Sequence, residues 1–192
     1  MIRISALNSD AGEADLEWIK RLAPSPAAVM LPKAESASAV GRMHDQLDGV
    51  GLLPIVESAV GLATLSELSA ARGVIRLAVG HIDFMADTGL QCDEMQSELA
   101  PLRFAVAMAT RLNNLAPAID GVTVQIDDEE RVRIDTRRAL RFGFGGKLCI
   151  HPRQVRVVHE AFAPNEQELE WARRVIAADA TQVARQYNST AA

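Results

Sequence analysis

Apolar residues fall along this chain in two rhythms. Short, nearly continuous apolar runs lie at 2–7, 28–31, 52–56, 75–80, 119–124 and 147–151. Runs this brief and this uniformly apolar predict strands buried on both faces, as in a parallel sheet. The segments between them carry apolar residues three and four apart, the spacing of one helical face. These are 13–22 with Leu16 and Ile19, 38–47, 64–72 beyond Gly61, 95–112 with Leu99, Leu102, Val106 and Ala109, 129–142 with Val132, Ala139 and Leu140, 153–161, and 166–186. Ser36 or Ser38 and Asn165 stand where N-caps belong. Pro152 falls in a first helical turn, where a missing N–H costs nothing. Strands alternating with helices predict an α/β fold with a parallel sheet. A closed (β/α)8 barrel needs eight strands and roughly 250 residues. Six strands in 192 residues fall short of that count.

Composition narrows the partners. Apolar residues make up 48% of the chain and charged residues 23%, ordinary for a soluble globular protein. A net charge of −5 with scattered Lys and Arg gives no reason to expect nucleic acid or an anionic membrane. No apolar run approaches the ~18 residues of a transmembrane helix, and the first residues do not read as a signal peptide. Cys92 and Cys149 form no metal-like cluster, so a reducing cytoplasm is expected.

Candidate chemistry gathers where strands end. Leu52-Leu53-Pro54-Ile55-Val56 closes on Glu57, and Ile75–Gly80 runs through His81-Ile82 to Asp83. In a strand–helix repeat both carboxylates then lie at the active-site end of neighbouring strands. Two carboxylates there call for a positive charge between them. A hard divalent cation such as Mg2+ suits them, because it takes one or two carboxylates and leaves positions for water and substrate. The competing reading is that one or both cap the following helix. Arg3, in the first strand near Asn8, either grips a substrate carboxylate with two parallel hydrogen bonds or is a surface residue. Lys33 is expected to pair with Glu35 or to sit at the rim. Asp120 either orients groups at the site or caps a backbone amide. His81 shares a loop with Asp83, within reach of substrate. His151 is expected to be structural, His44 and His159 to lie on the surface, and Cys149 to be inert core. Asp127-Asp128-Glu129-Glu130 reads as a solvated helix start.

Together, several strings resemble the citrate lyase beta-subunit-like branch of the HpcH/HpaI aldolase family. They are Arg3-Ile4-Ser5-Ala6-Leu7-Asn8, Val29–Glu35, Leu53–Leu62, Gly80-His81-Ile82-Asp83-Phe84, Ala118–Val122 and Gly146-Lys147-Leu148-Cys149-Ile150-His151-Pro152, with Trp171–Val175 beyond. The resemblance implies a Mg2+-dependent carbon–carbon lyase, with Mn2+ as an alternative metal. Its fold would be an incomplete TIM (β/α)8 barrel of six parallel strands with the helices outside, a partial barrel over 1–163 and a C-terminal helix over 164–192 that begins a lid segment. The likeness implies a substrate that is a CoA thioester of a 3-hydroxy acid, of citryl-, malyl- or citramalyl-CoA type, and products that are a keto acid and an acyl-CoA. By the same resemblance Glu57 and Asp83 hold the metal and are the catalytic pair. Arg3 and Glu57 contact substrate, and a homo-oligomer is expected. The family's two strands before the arginine strand, and its lid aspartate, have no counterpart in these residues. Ser5-Ala6 replaces a usual asparagine, and His81-Ile82 replaces a usual small–acidic pair. Open edges on the first and last strands are expected to favour self-association, with little turnover by the 192 residues alone. The alternative is a catalytically impaired paralogue or fragment that serves as a metal- or acyl-CoA-binding or interaction subunit. A pyruvate aldolase without CoA would share the carboxylate pair, but the Gly146–Pro152 string argues against it.

Overall fold

Six parallel strands pair in chain order in the computed structural model, which describes residues 1–6, 9–22 and 24–189. They are β1 (Ile2–Arg3), β2 (Ala28–Leu31), β3 (Gly51–Val56), β4 (Arg76–Val79), β5 (Ala116–Asp120) and β6 (Gly146–Lys147). The returning helices are α1 (Asp10–Ile19), α2 (Ala37–Gln46), α3 (Ala59–Ala63), α4 (Leu65–Ala70), α5 (His81–Thr88), α6 (Ala100–Leu112), α7 (Glu129–Arg141) and α8 (Pro152–Phe162). Parallel strands joined in strict sequence by right-handed crossovers keep their helices on one side and curl the sheet. The result is an incomplete (β/α) barrel.

Both faces of the sheet are apolar for different reasons. Ala28, Met30, Leu53, Ile55, Ala78 and Ile119 form one continuous cluster, with Leu148 packed against it. The alternate residues Val29, Leu31, Leu52, Val56, Leu77 and Val79 are fully buried, as are Val40, Leu68, Leu99 and Val106 on the helices. Burial of each large aliphatic side chain contributes about 1.5–3 kcal/mol. This double burial is why the strands read as continuous apolar runs.

Residues Met1–Ala161 form one compact unit and Phe162–Ala192 a second. The second holds α9 (Glu166–Ser189). Its start is a reciprocal cap: Glu168 N–H donates to Asn165 Oδ1 at 2.9 Å, and Asn165 N–H donates to the Glu168 carboxylate at 2.8 Å.

Several boundaries differ from the sequence reading. The outer strands β1 and β6 have two residues each, because each has a ladder partner on one side only. The end of the first apolar run, Leu7, and the neighbouring Asn8 lie outside the described residues. Within the 64–72 segment the helix is Leu65–Ala70, and a separate short helix, Ala59–Ala63, precedes it and meets it at Thr64. The 95–112 segment becomes α-helical only at Ala100, where Pro101 opens the first turn, and Gln96 ahead of it takes a left-handed φ of 54°. The fifth strand lies at Ala116–Asp120 rather than 119–124, on the less apolar side of its run. His81 and Asp83, read as sharing a loop, lie in the first turn of α5. Eight residues with only His81 and Phe84 buried give too little periodicity to announce a helix; Gly89, at a left-handed φ of 73°, ends it.

Candidate active site

Glu57 follows the last residue of β3 and continues the alternation of Leu53 and Ile55. It is 4% exposed. Its Oε1 accepts a hydrogen bond from the backbone N–H of Lys33 at 2.6 Å. Lys33 stands two residues past β2 and takes a left-handed φ of 47°, so a strained turn delivers this amide. Gly80, just past β4, gives the carboxylate its room. A Cβ there would lie 2.6 Å from the Cβ of Glu57 and would overlap the carboxylate as well.

Asp83 is exposed in the first turn of α5. Arg3 ends β1 and is in register with Met30, so it shares that residue's face of the sheet. Arg3, Glu57 and Asp83 all line one cavity of about 320 Å3, with Met30, Ile55 and Leu148 as its floor. The three also border an adjoining depression of about 410 Å3 beside Lys33.

Their charges act on one another. Burial pushes the proton affinity of Glu57 up, and the Lys33 amide opposes it. The charge of Asp83 raises it further, while Arg3 and Lys33 lower it. Among the described residues no group of three or more His, Cys, Asp and Glu side chains gathers around a common point. Two carboxylates form an all-oxygen donor set with several ligand positions left for water or substrate. That set fits Mg2+, which retains water and seldom takes a full protein cage. It does not fit a tetrahedral Zn2+ site.

The structure changes other parts of the sequence reading. His81 and Asp83 sit on α5, not in a loop. His81 is buried against Gly121, where a Cβ would collide with its ring. Burial lowers its pKa to about 4; Asp120 pulls the other way, and Arg103, Lys147 and Arg138 reinforce the fall. The Glu35 carboxylate accepts from the Ser58 hydroxyl at 2.6 Å instead of pairing with Lys33. His44 is half-buried, with Nδ1 3.1 Å from the Val50 carbonyl, rather than on the surface. Cys149 lies outside any strand, is exposed, and helps line the 320 Å3 cavity rather than the core. His151 is structural as expected: its Nδ1 accepts from the Arg153 N–H at 3.2 Å. Asp128 caps α7 through the Arg131 N–H at 2.9 Å, so the acidic run does start a helix.

A buried polar network behind the cavity was not foreseen. Asp120, fully buried, receives Arg103 Nε at 3.1 and 3.3 Å. Arg103 and Arg138 both donate to Gln96 Oε1, at 2.6 and 2.9 Å. Asp135 pairs with Arg131 and Arg138 at 3.0 Å each and accepts from the Thr123 hydroxyl at 2.7 Å. Lys147 Nζ donates to the Gly121 carbonyl at 2.6 Å. One signal was present in the sequence: Arg103 stands four residues after Leu99 and three before Val106, inside the apolar stripe of α6. A charge in that position needs a buried partner.

A curled parallel sheet with two carboxylates and an arginine facing one cavity at its strand ends places this chain among the (β/α)-barrel proteins. A family model described as HpcH/HpaI aldolase/citrate lyase matches residues 1–152, and the chain belongs to that family. It is 31% identical over 196 residues to the mitochondrial citramalyl-CoA lyase of Rattus norvegicus, covering 92% of this chain and 58% of that protein. It is 33% identical over 183 residues to a citrate lyase subunit beta-like protein of Deinococcus radiodurans, covering 93% and 63%. The chain thus spans about three-fifths of the length of these relatives. Among solved structures it is similar to RipC from Yersinia pestis, with a TM-score of 0.79 and 31% identity over 87% of this chain and 78% of that one. It is also similar to CitE from Mycobacterium tuberculosis in complex with magnesium, acetoacetate and coenzyme A, with a TM-score of 0.77 and 32% identity over 94% and 67%.

Proposed function

We propose that this chain carries the site of a Mg2+-dependent lyase that cleaves the CoA thioester of a 3-hydroxy acid into an acyl-CoA and a keto acid. The observation that carries the reading is the convergence of Glu57, Asp83 and Arg3 on one cavity at the strand ends. Relatives that act on or bind CoA compounds, magnesium and keto acids support it.

Glu57 and Asp83 would hold the metal, and Mn2+ would satisfy the same donors. A bound divalent cation supplies Lewis-acid polarisation of the substrate's oxygens. Arg3 offers the planar fork that grips a carboxylate with two parallel hydrogen bonds. The Lys33 amide holds Glu57 in one orientation, so the carboxylate needs no reorganisation when its ligand arrives. The apolar floor of Met30, Ile55 and Leu148 excludes water from the reacting carbons. In the cleavage the bond between the thioester α-carbon and the hydroxyl-bearing carbon breaks. The hydroxyl loses its proton and becomes the keto group, and the α-carbon takes a proton to give the acyl-CoA.

The reading extends to a homo-oligomer in a reducing compartment such as the cytoplasm, in keeping with the free thiols Cys92 and Cys149. It also makes residues 164–192 the start of a lid. The test incubates the purified chain with Mg2+ and citramalyl-, malyl- or citryl-CoA and measures keto acid and acyl-CoA. Slow release, as the open strand edges imply, that disappears with a chelator and in Glu57→Gln is the expected result. Release indifferent to both, or no release from any of the three substrates, overturns the proposal.

A further inference from the structure

One helix is apolar on both sides. The inner stripe of α6, with Leu102, Val106 and Ala109, is buried. Its outer stripe is Phe104, Met108 and Leu112, which are 59%, 43% and 81% exposed. At 3.6 residues per turn, Phe104 and Leu112 fall about 40° to either side of Met108. Of the exposed positions on α6, Arg111 alone is charged. The two helices that follow are built otherwise: α7 exposes Glu129, Glu130, Arg137 and Arg141, and α8 exposes Arg153, Arg156 and Glu160. A helix that is apolar all round is normally buried, so the outer face of α6 calls for a cover.

Position, symmetry and area identify the cover. The helix joins β4 to β5, inside the strand order. Strands added at the open edges, beside β1 or β6, would bring their helices next to α1 or α8 and leave α6 bare. The stripe is also its own mirror in sequence: reversed about Met108, Phe104 falls at Leu112. Two copies laid antiparallel about a twofold axis therefore match Met108 with Met108 and Phe104 with Leu112, as an isologous contact requires. Arg111 then faces Ala105, and the two Arg111 side chains stand roughly 9 Å apart along the helix, so no like charges are opposed. Taking about 200 Å2 for a large side chain, the three residues expose roughly 350 Å2 per copy. Apolar atoms make up about 60% of an interface, so the pair would bury roughly 1,100 Å2 in all. That exceeds the roughly 1,000 Å2 expected of a specific contact and lies at the small end of its range.

We propose that the outer face of α6 docks on the same face of a second copy of this chain, antiparallel about a twofold axis at Met108. The proposal assigns the surface through which a homo-oligomer forms, and it places that surface away from the open strand edges. It is independent of the lyase reading. No residue of α6 lines the cavity of Arg3, Glu57 and Asp83 or the depression beside it, so pairing leaves the site open.

The test is sedimentation velocity of the full chain at concentrations up to about 100 μM, with circular dichroism to verify folding. An interface of this size should give a dimer with a dissociation constant that is roughly micromolar. Met108→Glu sets two carboxylates against each other on the axis and should weaken the dimer at least a hundredfold. Should that variant fail to fold, Leu112→Glu, at the most exposed of the three positions, provides the same comparison. Mild oxidation reads the register. Met108→Cys should form a disulfide between the two copies of residue 108, identified by peptide mass spectrometry. Phe104→Cys should not link to itself, because its two copies stand roughly 12 Å apart along the helix. The wild type, oxidised alongside, controls for Cys92 and Cys149. A wild type that stays monomeric throughout overturns the proposal. So does a folded Met108→Glu that dimerises as tightly as wild type, which would move the contact to the strand edges or to the exposed Trp171 of α9. Phe104→Cys cross-linking as readily as Met108→Cys overturns the antiparallel pairing.

Discussion

The backbone amide of Lys33 donates to the Glu57 carboxylate at 2.6 Å, tying the turn after β2 to the residue after β3. The chain therefore fixes its most buried candidate ligand with main chain, and the Lys33 ammonium is left to act at longer range. Lys33→Gly keeps the N–H and relaxes the left-handed φ of 47°. Stability should change by less than about 1 kcal/mol, and divalent-cation affinity should stay within about twofold. A tenfold loss by calorimetry would transfer the role to the ammonium.

Gly80 has the opposite character. Its missing Cβ is the space that Glu57 occupies. Gly80→Ala should destabilise the chain by about 1–3 kcal/mol, the usual cost of forcing atoms into a packed site. It should also weaken Mg2+ binding, because Glu57 must move. Urea denaturation and a cation titration read the two effects separately. Unchanged stability would mean that the close approach is not real.

Arg103 and Asp120 are the most buried ion pair described, at 1% and 0% side-chain exposure. Removing one partner leaves the other charge stranded, which typically costs 3–5 kcal/mol. Arg103→Leu should show a loss of about that size in urea denaturation. Asp120→Asn combined with Arg103→Leu should recover part of it. A single variant as stable as wild type would remove this pair from the account of the core.

Most of the fold was written in the apolar rhythm, for a physical reason. Parallel strands buried on both faces must be apolar throughout, so 28–31 and 52–56 marked β2 and β3 within a residue. Glu57 and Asp83 stood out as acids terminating such runs. The parts that stayed hidden depend on long-range pairing. Asp120 in β5 gives no sign of its partner, because Arg103 lies on a different element, 17 residues earlier. Gln96 was read as part of the 95–112 helix, and nothing in its neighbours announces that two arginines converge on it. Cys149 was read as core because its run is apolar, but β6 ends at Lys147 and leaves it exposed.

His81 couples stability to pH. Its folded pKa of about 4 lies below the ordinary 6.5, so the unfolded chain binds the proton more tightly. The stabilisation is present above the unfolded pKa and is lost as pH falls from about 6.5 towards 4. The loss is at most on the order of 3 kcal/mol. His81→Asn should flatten this part of the stability–pH curve measured by urea denaturation at fixed ionic strength. An unaltered slope would assign the loss to other groups.

Divalent-cation binding tests the central claim most directly. Mg2+ is titrated calorimetrically into the chain and into Glu57→Gln and Asp83→Asn, with circular dichroism to verify that each is folded; Mn2+ provides a paramagnetic cross-check. The expected result is one site in the wild type and at least a tenfold loss of affinity in each variant, because neither carboxylate alone completes the oxygen donor set. Two folded variants that bind as tightly as wild type would contradict the assignment of Glu57 and Asp83 as a shared metal site.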